Sequence, residues 1–166
     1  MAQPYATNSE LMAAFESGDD RTGADFRAMR ERIGWSQNDV ERALGCTPTT
    51  VKKWESPITG WSVLPYGWAW IDKMYAQYFE EVDALTDLAI SRIKSHGIKK
   101  GETVRLSYYR NIDKQSYDKR KRNAGRTRHQ EPPSAANAVS RAVGDYLEDE
   151  GYKVRYVWAE DGGWII

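Results

Sequence analysis

The residues between Ser36 and Glu55 can form two short helices joined by a glycine turn, and that spacing leaves little else for them to build. Ser36 has an N-cap side chain, and Asp39 places a negative charge at N3, where the helix dipole favours it. Val40, Ala43 and Leu44 then share one face. Gly45 suits the left-handed residue that ends this helix. Thr47 reads as the N-cap of the next helix, with Pro48 in its first position, where a missing N–H costs nothing. Val51 and Trp54 are then turned inward. Upstream, Phe26, Met29 and Ile33 recur at steps of three and four, which predicts a third helix from Ala24, ended by Gly34.

The rest of the chain divides around this unit. Residues 1–20 read as an N-terminal arm, with one short helix around Leu11 and Phe15 broken at Ser17 to Asp20. The three-helix unit takes residues 21–62. Residues 63–98 carry Trp68, Ile71, Tyr75, Tyr78, Val82, Leu85 and Ala89 at helical steps, predicting a long helix from Tyr66 to Ser95, stopped by Gly97. It would run roughly 45 Å at 1.5 Å per residue. Residues 99–166 change period. Val104, Leu106 and Tyr108 alternate as a strand, and so do Tyr152, Val154, Tyr156 and Trp158. Between them Ser134, after two prolines, is expected to cap a helix that closes at Gly151. Glu160 to Gly163 would turn the second strand back into Trp164 to Ile166. The expected fold is α+β: a helical N-terminal bundle, a long helix, then a small β-α-β-β unit.

With 166 residues, 40% of them apolar, the chain can bury a core as one domain or as two small ones. No run of eighteen apolar residues would cross a membrane, and residues 1–20 lack the pattern of a secretory signal. The single cysteine, Cys46, rules out an internal disulfide and a cysteine metal cluster, and points to a reducing cytoplasm. The thiol itself reads as a small buried group. Net charge is zero, but residues 99–133 hold eleven Lys/Arg against four Asp/Glu, while the remainder holds thirteen against twenty. For a polyanionic partner the clustering matters more than the sum.

The run from Trp35 to Glu55 resembles the Xre/Cro-type helix-turn-helix: Ser36-Gln37, the apolar Val40 three residues on, Leu44-Gly45 at the turn, the hydroxyl Thr47, then Thr50-Val51 and Trp54-Glu55, all in register. The match spans Phe26 to Glu55. It implies a regulator that reads double-stranded DNA, with the helix after Thr47 in the major groove. By that resemblance Gln37 and Thr50 contact the backbone, and Thr49, Lys52 and Lys53 are candidates for base reading. The chemistry agrees. Threonines meet base edges or a thymine methyl, and lysines reach guanine acceptors or phosphates. The capped start at Thr47 presents backbone N–H groups, and Gln37 opens a helix whose N-terminus favours a phosphate. Pro48 departs from the polar residue usual there and offers apolar contact only. More broadly, the order of elements, with Arg92 and Leu106, is similar to phage repressors that accompany anti-CRISPR genes, which implies a homodimeric repressor on an inverted repeat in its own promoter. Two other classes stand beside it: an antitoxin whose C-terminal half masks a toxin, and an RNA-binding regulator.

A loop over residues 113–133 is the second basic feature. Lys119, Arg120, Lys121, Arg122, Arg126 and Arg128 come with no acid among them, around Gly125. One reading is an arm on DNA phosphates or in the minor groove; the other is a solvated linker. Catalysis finds no support in the sequence. His96 and His129 lack ligand spacing, and there is no phosphate-binding glycine loop and no nucleophile elbow. The chain is expected to be no enzyme, and to need no cofactor or metal.

Overall fold

A computed structural model describes residues 20–110 and 131–166. The expected helix near Leu11 and Phe15 and the basic loop Lys119 to Arg128 lie outside the described residues. The architecture is α+β, in the order α1 (Gly23–Arg32), α2 (Gln37–Leu44), α3 (Thr50–Trp54), α4 (Pro65–Ser95), β1 (Thr103–Tyr108), α5 (Pro133–Asp149) and β2 (Lys153–Trp158). It forms two compact units, one up to Ala76 and one from Gln77 to Ile166, so α4 contributes residues to both. No described helix is long and apolar enough to cross a membrane.

The first unit owes its core to aromatic residues spaced for burial. Phe26 of α1 meets Trp54 of α3 and Trp68 of α4 edge to face, each at 5.6 Å between ring centroids. Trp35 meets Trp70 at 5.1 Å in the same manner. Val40, Val51 and Ile71 fill the space between and are fully buried. Edge-to-face contact suits the ring quadrupoles and adds about 0.5–1.5 kcal/mol per pair beyond area burial. α1 opens on a capping pair: Thr22 N–H donates to Asp25 Oδ2 at 2.6 Å.

α4 stops where its glycine allows. Gly97 takes φ +67°, Ile98 N–H reaches back to Ile93 O at 3.0 Å, and Gly97 N–H to Lys94 O at 3.1 Å. Those two bonds satisfy carbonyls that the helix end would otherwise leave open.

In the second unit β1 and β2 are parallel neighbours, with Val104 beside Val154 and Leu106 beside Tyr156. α5 is the crossover a parallel pair requires. Val139, Val143 and Leu147 of α5 pack with Val104, Leu106, Val154, Ala89 and Ile93. The expected return strand is corrected by the structure. Trp164 to Ile166 form no strand and do not pair with β2. The tail instead reaches β1, where Ile165 N–H donates to Arg105 O at 2.7 Å and Ser107 N–H donates to Ile166 O at 2.9 Å. Burial of Ile165 and Ile166 in the core decides this placement, with Arg92 donating through Nη1 to Ile165 O. The sheet therefore has two strands, not three.

Polar residues of α5 cover the rest of the β1 edge. Asn137 accepts from Tyr109 N–H through Oδ1 at 2.7 Å and donates through Nδ2 to Tyr109 O at 2.8 Å, as a neighbouring strand would. Ser140 Oγ donates to Ser107 O at 3.0 Å. Both side chains are buried, and these bonds offset the cost of burying them.

Candidate nucleic-acid interface

The helix-turn-helix begins at a cap that behaves as its sequence dictates. Asp39 N–H donates to Ser36 Oγ at 3.1 Å, and Ser36 N–H donates to Asp39 Oδ2 at 3.3 Å. Asp39 also holds Arg42 Nη2 at 2.6 Å. α2 ends at Gly45, φ +66° and ψ +23°, a conformation only a residue without Cβ adopts freely. Cys46 N–H then donates back to Glu41 O at 3.1 Å.

The start of the reading helix differs from the expectation. Thr47 does not cap a helix that includes Pro48; α3 begins at Thr50. Thr50 N–H donates to Thr47 O at 3.1 Å, closing a β-turn with Pro48 and Thr49 at its corners. Thr49 has φ +77° and ψ −4°, the values of the third residue in a type II turn, for which Pro48 is the favoured predecessor. It is the one non-glycine residue with positive φ among the described residues. For a β-branched side chain that is a strained position, costing on the order of 1–3 kcal/mol. The cap comes from another helix: Val51 N–H donates to Glu41 Oε1 at 3.2 Å, a buried bond from α2. A carboxylate on an early helical N–H serves as the Thr47 hydroxyl was expected to. Thr47 Oγ1 instead shares a hydrogen bond with Thr50 Oγ1 at 2.9 Å.

A buried ion pair ties α1 to the end of α3. Arg30 donates to Glu55 through Nε at 2.6 Å and Nη2 at 2.8 Å, with side chains 8% and 2% exposed. Its Nη1 donates to Trp35 O at 2.7 Å. Gln37 Nε2 gives Glu55 a third donor at 2.7 Å. Such a pair is tolerable in a core because its hydrogen bonds are filled. Gln37 thus stands at the first position of α2, with its amide held by Glu55.

The structure brings Thr47, Pro48, Thr49, Thr50, Lys52 and Lys53 together along one turn and one short helix. Thr47, Pro48, Thr49 and Lys52 are exposed; Thr50 and Lys53 are half-buried. Val51 and Trp54 point the other way, into the core. Lys53 Nζ lies 4.4 Å from the centroid of the Trp61 ring, an orienting contact that the sequence did not signal. The loop after α3 is folded onto that helix: Thr59 Oγ1 donates to Lys53 O at 2.7 Å, and Ile58 is left 92% exposed. Lys119, Arg120, Lys121, Arg122, Arg126 and Arg128 lie outside the described residues.

Cys46 is half-buried at the turn. Burial pushes its thiol above the usual range and the nearby Glu41 carboxylate adds to this, which favours the protonated thiol at neutral pH. No group of three or more His, Cys, Asp or Glu that could hold a metal occurs among the described residues.

A helix-turn-helix family model matches residues 26–56, the segment from α1 to the end of α3. The match supports sequence-specific DNA binding and a role in transcription regulation. The chain matches no curated protein.

Proposed function

We propose that this chain is a repressor of the Xre/Cro type, which binds an inverted repeat in its own promoter as a homodimer, with α3 in the major groove of each half-site. One observation carries the reading. The exposed turn Thr47 to Thr49, followed by Lys52 of α3, stands at the start of a helix that the Glu41 bond and the Arg30–Glu55 pair hold in place. Base reading needs short polar side chains on a rigid helix start. Gln37 and Thr50 contact the backbone, while Thr49 and Lys52 read bases, with Lys53 steered by Trp61. The order of elements continues the likeness to anti-CRISPR-associated phage repressors. In this reading Leu106 and Arg92 serve the second unit, one as core and the other as the anchor of the tail.

The test compares binding to a selected duplex and to random duplexes. Thr49→Ala or Lys52→Ala should lower preference for particular base pairs by about 1–3 kcal/mol per contact, with little change in stability. Equal weakening on both duplexes would make the residue a phosphate contact. Unchanged binding on both would overturn the assignment of α3.

A further inference from the structure

The unit made of β1, α5 and β2 sorts its charges by face. Side chains alternate across a strand, so Val104, Leu106 and Val154 on one face pack beneath α5. The register places Thr103 beside Lys153, Arg105 beside Arg155 and Ser107 beside Val157 on the other face. Thr103, Arg105, Lys153 and Arg155 are exposed there. Within the three elements the exposed acids are on the helix, Asp145, Glu148 and Asp149 of α5 beside Arg141, with Glu150 at its C-cap; Glu102, Glu160 and Asp161 are exposed just beyond the strand ends.

Like charges directly opposite one another destabilise a strand pair. Arg105 and Arg155 are opposed in this way, and neither they nor Lys153 form an ion pair with a carboxylate among the described residues. Arg155 Nη1 donates to Val154 O at 3.0 Å, and Arg105 Nη1 reaches the turn at Gly163. Three cations, with two-residue steps of about 6.6 Å along β2, lie on a face to which the two strands contribute no aromatic side chain. The core of a protein–protein interface is enriched in aromatic residues and depleted in charge, so this face suits a polyanion better than a protein.

We propose that the Arg105–Arg155–Lys153 face binds backbone phosphates of duplex DNA. This rests on the DNA-binding reading above and adds a second, sequence-independent contact to it. Guanidinium groups hold phosphate oxygens through paired N–H donors, and the bound anion relieves the opposition between the two arginines. The contact raises affinity for every duplex alike, because phosphates carry no sequence information.

The test is a double variant, R105Q/R155Q, in the full chain, titrated with selected and random duplexes at several salt concentrations. Affinity should fall by the same factor on both, and the log–log salt slope should shrink by about two per bound chain, near 0.9 for each lost contact. The thermal midpoint of the free protein should hold or rise as the repulsion is removed. R105K/R155K, which keeps the charge, should recover the slope even if the glutamine variant proves less stable. An unchanged affinity and slope, or a slope that the lysine variant does not recover, overturns the proposal. A loss confined to an RNA hairpin, with duplex binding intact, overturns it too. Equal binding of the parent chain to selected and random duplexes would remove the sequence-reading proposal and leave this comparison standing.

Discussion

At Thr49 two demands meet on one residue. Its backbone takes a left-handed turn that a β-branched residue resists, while its side chain stands exposed at the start of α3. Thr49→Gly separates them. The strain should go, and the free protein should gain about 1 kcal/mol in chemical unfolding, less whatever glycine adds to the entropy of the unfolded chain. If the Thr49 side chain reads a base, preference for the selected duplex falls in the same variant. A gain in stability with selectivity intact would make Thr49 a turn residue only. Glu55 presents the opposite case, a residue whose role is internal. Replacing it with alanine leaves Arg30 charged and buried without its carboxylate, which should cost about 3–5 kcal/mol. Unfolding midpoints in urea decide the matter, since a loss below 1 kcal/mol would mean the pair is relaxed and wet in solution.

The same contrast holds between elements. Capping of α2 and the stop of α4 at Gly97 were legible in the sequence, because each is set by residues within four or five positions of one another. The opening of α3 was not. Thr47-Pro48 carries a sound local signal for a helix start, and a carboxylate ten residues upstream of Val51, that of Glu41, supplies the bond that overrides it. Arg30 and Glu55 stand 25 positions apart and no periodicity links them. The tail was misread because an apolar run after a turn at Glu160 to Gly163 is equally consistent with a strand and with two anchored isoleucines. The α1 cap gives an element-level prediction in pH. The Thr22 backbone N–H, then its hydroxyl, hold the Asp25 carboxyl below its ordinary 3.8. A carboxyl depressed in the folded state adds stability above about 3.8 and loses it as pH falls through the lower folded value. Asp25→Asn should therefore flatten the dependence of the thermal midpoint on pH in the acid range, and identical curves would deny the cap an ionic component. On α5, Asn137→Asp keeps shape but removes the donor to Tyr109 O, and it should destabilise by about 1–3 kcal/mol.

For the whole molecule the argument turns on how much discrimination one reading helix can supply. Specific sites are typically favoured over random DNA by about 4–10 kcal/mol, while a good side-chain contact to a base yields about 1–3 kcal/mol. α3 spans only Thr50–Trp54, and the proposed readers are Thr49, just before it, and Lys52, so one copy reaches at best the lower end of that range. Two copies on an inverted repeat double the contacts without lengthening the helix. Phosphate contacts from Arg105, Arg155 and Lys153 raise the affinity of both copies and leave this difference untouched. The proposed dimer therefore carries a geometric requirement: its two α3 helices must meet the same side of the duplex, about 34 Å apart or a multiple of that turn. Inserting about five base pairs between half-sites should abolish preference for the operator, and inserting about ten should restore part of it. Sedimentation equilibrium of the free protein and of the complex should give two chains per duplex. A single chain per duplex, with preference unaffected by either insertion, would mean that one copy reads its site alone, and the inverted-repeat proposal would fall.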